Sequence, residues 1–305
     1  MVGYFRLPVS IFQIAKRTIR GMIDDDCAGL AAELAYYFFL ALFPALIFAV
    51  ALFGFLPVSG LVQQLVNKLN TVVPHDVADV IGRQLTHLTD SGGNTSLLTL
   101  GMLGTIWSSS AAVASIIDTL NRVYEIKESR AWWRVKLRAI ILTIGLIIFF
   151  LVAMLLVLAG PIVANWLDST LHLGSTVIRI WQVVRWIGAF FLAVLAIDIV
   201  YYFGPDAETK WVWITPGSLV AIVLWIISSI GFRLYLASFG SYNATYGALG
   251  GIIVLLLWFY ISGLSILIGA ELDSTIDQAV IQKRQILWHE GERRRIGAAL
   301  ESYQS

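Results

Sequence analysis

The sequence predicts an all-α integral membrane protein: six transmembrane helices accompanied by interfacial amphipathic helices. Three observations carry this. The 305 residues are 58% hydrophobic and only 13% charged, whereas soluble chains run at about a quarter charged. The mean hydropathy is +0.79. The charges also fall in blocks, leaving charge-free gaps between Glu33 and Lys68, Asp90 and Asp118, Arg138 and Asp168, Lys210 and Arg233, and Arg233 and Glu271. An apolar helix needs about 20 residues to cross the hydrocarbon core, and each gap provides them. The apolar runs are continuous and not alternating, which excludes β-barrel strands. Unpaired backbone amides are costly in lipid, so each span is helical.

The elements follow in order. Residues 1–29 form a cytoplasmic amphipathic segment. Over 9–23, Ile11, Ile14, Ala15, Ile19 and Met22 share one face while Lys16, Arg17 and Arg20 lie largely on the other, the pattern of a helix lying on a membrane surface. Asp24, Asp25 and Asp26 read as a solvated run capping the next helix, with cation attraction as the alternative. The membrane domain covers 30–272, with spans at 33–56, 97–118, 138–160, 180–203, 212–238 and 247–271. The second is marked by the polar stretch WSSSAAVAS, and the fourth by Arg185 and Asp198. Between the first two spans, 61–88 repeats apolar positions around Pro74. It reads as two outer amphipathic helices, either a packed loop or a lid. Residues 273–305 form a basic cytoplasmic tail.

Basic residues give the orientation. Arg6, Lys16, Arg17 and Arg20 precede span one; Arg122, Lys127, Arg130, Arg134, Lys136 and Arg138 join spans two and three; Lys210 and the tail add to the same side. The opposite side holds Lys68, Arg83 and Arg179. Positive charge marks the cytoplasmic face, so both termini are cytoplasmic and the span count is even. The first apolar run starts too late and runs too long for a cleavable signal peptide.

Ionisable residues inside spans are functional candidates by default. Arg185 and Arg233 each lie about five residues from an outer helix end, on the order of 8 Å deep. They are either snorkelling interface anchors or a pair binding one anion through their planar forks. Asp198 lies too far around its helix to meet Arg185; it is an ion-pair partner or a coupling site. Glu33, Asp118 and Glu271 sit near inner span ends, where basic juxtamembrane residues can neutralise them. Small residues Gly247, Gly250 and Gly251 and the serines of span two permit close helix packing, or line a substrate path. Pro44 and Pro216 predict kinks or irregular helix entries.

Enzyme signatures are absent. His75, His87, His172 and His289 are scattered, without zinc-binding spacing, and there is no nucleophile elbow or phosphate-binding loop. The one cysteine, Cys27, excludes a disulfide framework. No cofactor and no metal are expected. Membrane lipids are the implied partners, with an envelope protein as a further one. Nucleic acid is not, because the tryptophans are membrane-belt residues. Oligomeric state is left open.

Several separated motifs resemble one family. They are Tyr201-Tyr202-Phe203-Gly204-Pro205, Pro216-Gly217-Ser218, Thr245-Tyr246-Gly247-Ala248-Leu249-Gly250 and Gly269-Ala270-Glu271-Leu272. Upstream, LAYYFFLALFPAL and DTLNRVYEIKESRAWWR fit as well. Over roughly 20–275 the chain resembles the YihY/BrkB family of bacterial inner-membrane proteins, once labelled ribonuclease BN. The resemblance implies six spans with cytoplasmic termini and a part in envelope integrity and serum resistance. It supplies no catalytic residues. The expected function is translocation of an anionic lipid-like or envelope-precursor substrate, with Arg185 and Arg233 on its head group. The alternative is a non-catalytic scaffold for envelope assembly partners.

Overall fold

A computed structural model describes residues 10–55, 95–171, 174–207, 211–238 and 242–304. The segment 61–88 lies outside the described residues. The described residues form seven α-helices and no strand: α1 (Ile11–Asp24), α2 (Cys27–Phe55), α3 (Thr95–Val123), α4 (Trp132–Leu171), α5 (Gly174–Phe203), α6 (Pro216–Ser238) and α7 (Tyr242–Gln304).

Local chemistry explains the starts of three helices. Ser10 caps α1, its hydroxyl accepting from Gln13 N at 3.3 Å. Asp26, at φ 48°, caps α2 by accepting from Gly29 N at 3.2 Å. Thr215 caps α6, taking the Ser218 amide at 3.1 Å, and Pro216 follows at the first helical position, where its missing N–H is no loss. Pro44 lies inside α2 without ending it.

Five helices contain segments long and apolar enough to cross a membrane, in α2, α4, α5, α6 and α7. The helix α3, at 29 residues, is not among the five found within the described residues. Its packing accommodates the polar residues it carries. The six long helices form a closed ring in chain order, each touching the next and α7 returning to α2, while α3 also touches α7. Ala112, Val113, Ser115, Ile116, Ile117, Thr119 and Leu120 of α3 are all buried, while Leu100, Leu103 and Trp107 nearer its start are exposed. Its hydroxyls find partners inside the bundle. Thr105 donates to Pro44 O at 2.7 Å and Ser115 to Glu33 Oε1 at 3.0 Å, while Ser110 accepts from Lys136 Nζ at 2.8 Å.

The core lies toward one end of the ring. Leu30, Ala31 and Leu34 of α2, Ile116 and Leu120 of α3, Val200 and Tyr201 of α5 and Leu267 and Ala270 of α7 form its main cluster. The outer surfaces of α4 and α6 carry exposed Ile141, Ile148, Phe150, Leu155, Ile227 and Ile230, as a bundle solvated by hydrocarbon requires. The small helix α1 packs on α7 with Ile14 and Thr18 buried and Ile11, Phe12, Ile19 and Ile23 exposed. The helix α7 runs unbroken for 63 residues, so the tail from 273 onward continues the last membrane helix without a break.

Candidate functional site

The antiparallel ring brings the N-termini of α2, α4 and α6, the C-termini of α3 and α5, and the middle of α7 to one end. Two polar clusters form there, and a groove opens beside them.

In the first cluster, Arg130 Nε and Nη2 donate to the two carboxylate oxygens of Glu128, and Nη2 also reaches Gly204 O at 3.1 Å. Its Nε lies 3.3 Å from Asp206. Asn121 clamps the far side, donating to Glu128 at 2.8 Å and accepting from Asp206 N at 2.8 Å. Ser129 donates its amide and hydroxyl to Asp206 Oδ2. The Arg130 hydrogen bond holds Glu128 below the usual carboxylate range, and the same bond raises Arg130. The Ser129 hydrogen bond, ahead of the charge of Arg130, lowers Asp206.

The second cluster contains acids without a basic partner. Asp198 Oδ1 accepts from Thr215 N at 3.2 Å and Oγ1 at 2.8 Å; Asp273 Oδ1 accepts from Gly217 N at 2.8 Å. Their other oxygens, Oδ2 in each, are buried without a hydrogen-bond partner, as is Glu271 Oε2. The first turn of α6 lies directly on α7. A Cβ built on Gly217 would come within 2.1 Å of Gly269 O and 2.5 Å of Asp273 Cγ, and one on Gly269 within 2.4 Å of Gly217 O. Only glycine fits at either position. Tyr201 donates to Ile266 O across the same junction. About half a turn around α7 from Gly269 and Asp273, Glu271 fills the space left by Gly21, whose Cβ would meet Glu271 Oε1 at 1.8 Å. Burial, reinforced by Glu125, raises Asp25, which shares a hydrogen bond with Glu271. Two carboxyl groups can share one only if one of them carries a proton.

The groove consists of two cavities sharing Leu146 and Phe149. The larger, about 660 Å³, lies between α4 and the end of α5 and has Arg138, Tyr202 and Asp206 among its lining residues. The smaller, about 320 Å³, is walled by Phe150, Leu192, Ile222, Trp225 and Ile266 from α4, α5, α6 and α7. One end of the groove is polar and the other almost wholly apolar.

Residues 18–293 match the family described as Virulence factor BrkB. The chain belongs to that family. It is 33% identical over 257 residues to a ribonuclease-like protein of Bacillus subtilis, covering 84% of this chain and 90% of that one. It is 27% identical to a UPF0761 membrane protein of Pseudoalteromonas translucida, covering 87% and 86%, and 25% identical to one of Rhodospirillum centenum, covering 90% and 59%. No solved structure matches. This BrkB-family chain is therefore an all-α, multi-pass membrane protein.

The predicted site residues fall in different places. Arg185 of α5 is half-buried, with Nε and Nη1 lacking hydrogen-bond partners and its guanidinium 5.8 Å from the Trp186 ring. Arg233 of α6 is exposed beside the exposed Ile230 and Leu234. Neither lines the two cavities. Asp118 pairs with Arg122 at 2.8 Å on an exposed turn, and Glu33 takes its hydrogen bond from Ser115. Glu271 faces Asp25 where a basic neighbour was expected, because Gly21 on α1 admits the carboxyl and no arginine side chain reaches it among the described contacts. Tyr246 and Gly247 lie in the first turns of α7, and Gly250 is buried. Gly251 has nothing within 4 Å of a built Cβ, so the close approaches of α7 occur at Gly263 and Gly269. Among the described residues no group of three His, Cys, Asp or Glu side chains is arranged to hold a metal ion.

Sequence reasoning passed over Asp273 and Thr215, and it read Asp25 only as part of a solvated acidic run, Tyr201 only as a family motif residue and Arg130 only as a charge giving orientation. A readable signal existed for Asp273. Ser262, Ser265, Gly269 and Asp273 recur at three- and four-residue spacing, which puts a carboxylate at the end of a small-residue stripe on one face of α7.

Proposed function

We propose that this protein is a six-span bundle of a bacterial cytoplasmic membrane, with its charged end and both termini in the cytoplasm, and that it moves an amphipathic anionic molecule between the leaflets. The observation that carries the reading is the groove. Arg138 offers a cation where a head group enters, and the continuous apolar wall from Leu146 to Trp225 accepts an acyl chain. Lipid-sized pockets are mostly apolar with a few placed polar groups, as here. Arg185, with unpartnered nitrogens, supplies a second anion contact toward the opposite end of α5. Membrane lipids are then both solvent and substrate, and the chain performs no covalent chemistry.

Reconstitution into liposomes with head-group-labelled phospholipids tests this. Anionic label moves faster than in empty vesicles, and Leu146→Trp, which fills the waist shared by the two cavities, abolishes the gain. Movement equal to that of empty vesicles for every head group overturns the reading. A scaffold role is favoured by one feature, the extension of α7 beyond the bundle with Trp288 exposed. It predicts recovery of an envelope protein that is lost on removing 284–305, with lipid movement at the empty-vesicle level.

A further inference from the structure

We infer that Asp198 and Asp273 together hold an exchangeable proton, forming a proton-binding site where α5, α6 and α7 meet.

The geometry buries two carboxyl groups with no cation beside them among the described residues. Asp198 is 2% exposed and Asp273 3%, so water cannot solvate either one. Each carboxyl receives donors on one oxygen only, from Thr215 and from Gly217 N, and each leaves Oδ2 buried and bare. An ionised carboxylate is acceptor-only, and a bare anionic oxygen in a dry interior is costly. Among the described residues, the groups that bear on the pair bring no cation. Tyr201 comes from α5, neutral Thr215 and Ser218 from the start of α6, and Asp277, a further acid, from α7. The one favourable field is the N-terminus of α6, worth about half a charge, against two full negative charges. A lysine or arginine side chain has no way in, because Gly217 and Gly269 already touch through their backbones. A proton is small enough, and it turns a bare oxygen into a donor.

The site also adjoins the groove. Ala221 would be 2.8 Å from a Cβ on Gly269, and Tyr201 donates to Ile266 O; both Ala221 and Ile266 line the apolar cavity. Proton binding does not depend on the groove carrying lipid, and its test is separate.

That test is infrared spectroscopy of the full-length protein in nanodiscs. An Asp25→Asn/Glu271→Gln background removes the other acid pair. At neutral pH the background protein shows a protonated-carboxyl carbonyl band that shifts in heavy water and shifts again when aspartate is labelled with carbon-13. Adding Asp198→Asn and Asp273→Asn together removes the band. If that background fails to fold, the same carbon-13 aspartate measurement on the Asp25→Asn chain serves, since no other labelled acid of that pair remains. Absence of a labelled protonated-carboxyl band in the folded protein at neutral pH, or its survival in the double Asn variant, overturns the assignment.

Discussion

Two polar clusters share one end of this bundle, and they differ in what balances their charge. Around Arg130, two carboxylates, an asparagine and a serine supply most of the hydrogen bonds and balance the charge, leaving Arg130 Nη1 buried without a partner. Around Asp198, Asp273 and Glu271, glycines bring helix backbones so close that no basic side chain enters, and three carboxylate oxygens stay bare. The first cluster joins a loop to helix ends at the rim. The second lies between helices, where α6 meets α7. Charge at the rim is matched by arginine because there is room for one, and within the helix junction packing has priority.

Four perturbations separate the two. The largest effect is expected from Gly217→Val, whose side chain overlaps Gly269 O and Asp273; it destabilises by about 3 kcal/mol or more, read as loss of monodisperse protein or a lower midpoint of thermal unfolding. Next is Arg130→Ala, which strands Glu128 and Asp206; at a partly exposed rim it costs about 2 kcal/mol, by the same measurement. A milder loss follows from Ser115→Ala, about 1 kcal/mol, since Glu33 stays half-buried and keeps access to other partners. The smallest is Asp273→Asn, below about 1 kcal/mol, because the amide oxygen still accepts from Gly217 N and the side chain is neutral, as the protonated acid is. A loss at Asp273→Asn as large as at Arg130→Ala would erase the distinction.

Acidity sharpens the same contrast, because the signs are opposite. Glu128 and Asp206 are lowered in the fold, so their contribution is complete above the unfolded values, about 4, and is lost only as pH falls below that. Asp25 is raised, so the folded chain holds a proton there that the unfolded chain has released. Its ionisation lowers stability as pH rises from about 4 through the raised value. Thermal stability therefore increases on acidification through the raised value toward about pH 4, and Asp25→Asn flattens that rise.

The membrane helices were legible because apolar run length is a local property of the chain. The start of α4 was placed late, at 138, because Arg134, Lys136 and Arg138 argue against a span. In the structure they ride on its first turns beside Trp133 and Trp107. The reason α3 tolerates its serines was not legible, since it depends on which helices surround it. Asp273 reads as tail because the apolar run ends at 271 and the membrane domain at 272, yet the helix continues and buries it. Arg185 and Arg233 were matched by depth alone. Depth does not fix which side of a helix a residue occupies, and Arg233 emerges on the exposed face.

The central functional claim is that the groove between α4, α5, α6 and α7 admits a lipid that the outer surface does not select. Photo-crosslinking from a benzoylphenylalanine placed at Phe149, in the groove, or at Leu155, on the exposed face of α4, measures it directly in native membranes. Mass spectrometry of the adducts should show anionic phospholipid enriched over its membrane share at position 149, with bulk composition at 155. Bulk composition at both positions would contradict the account.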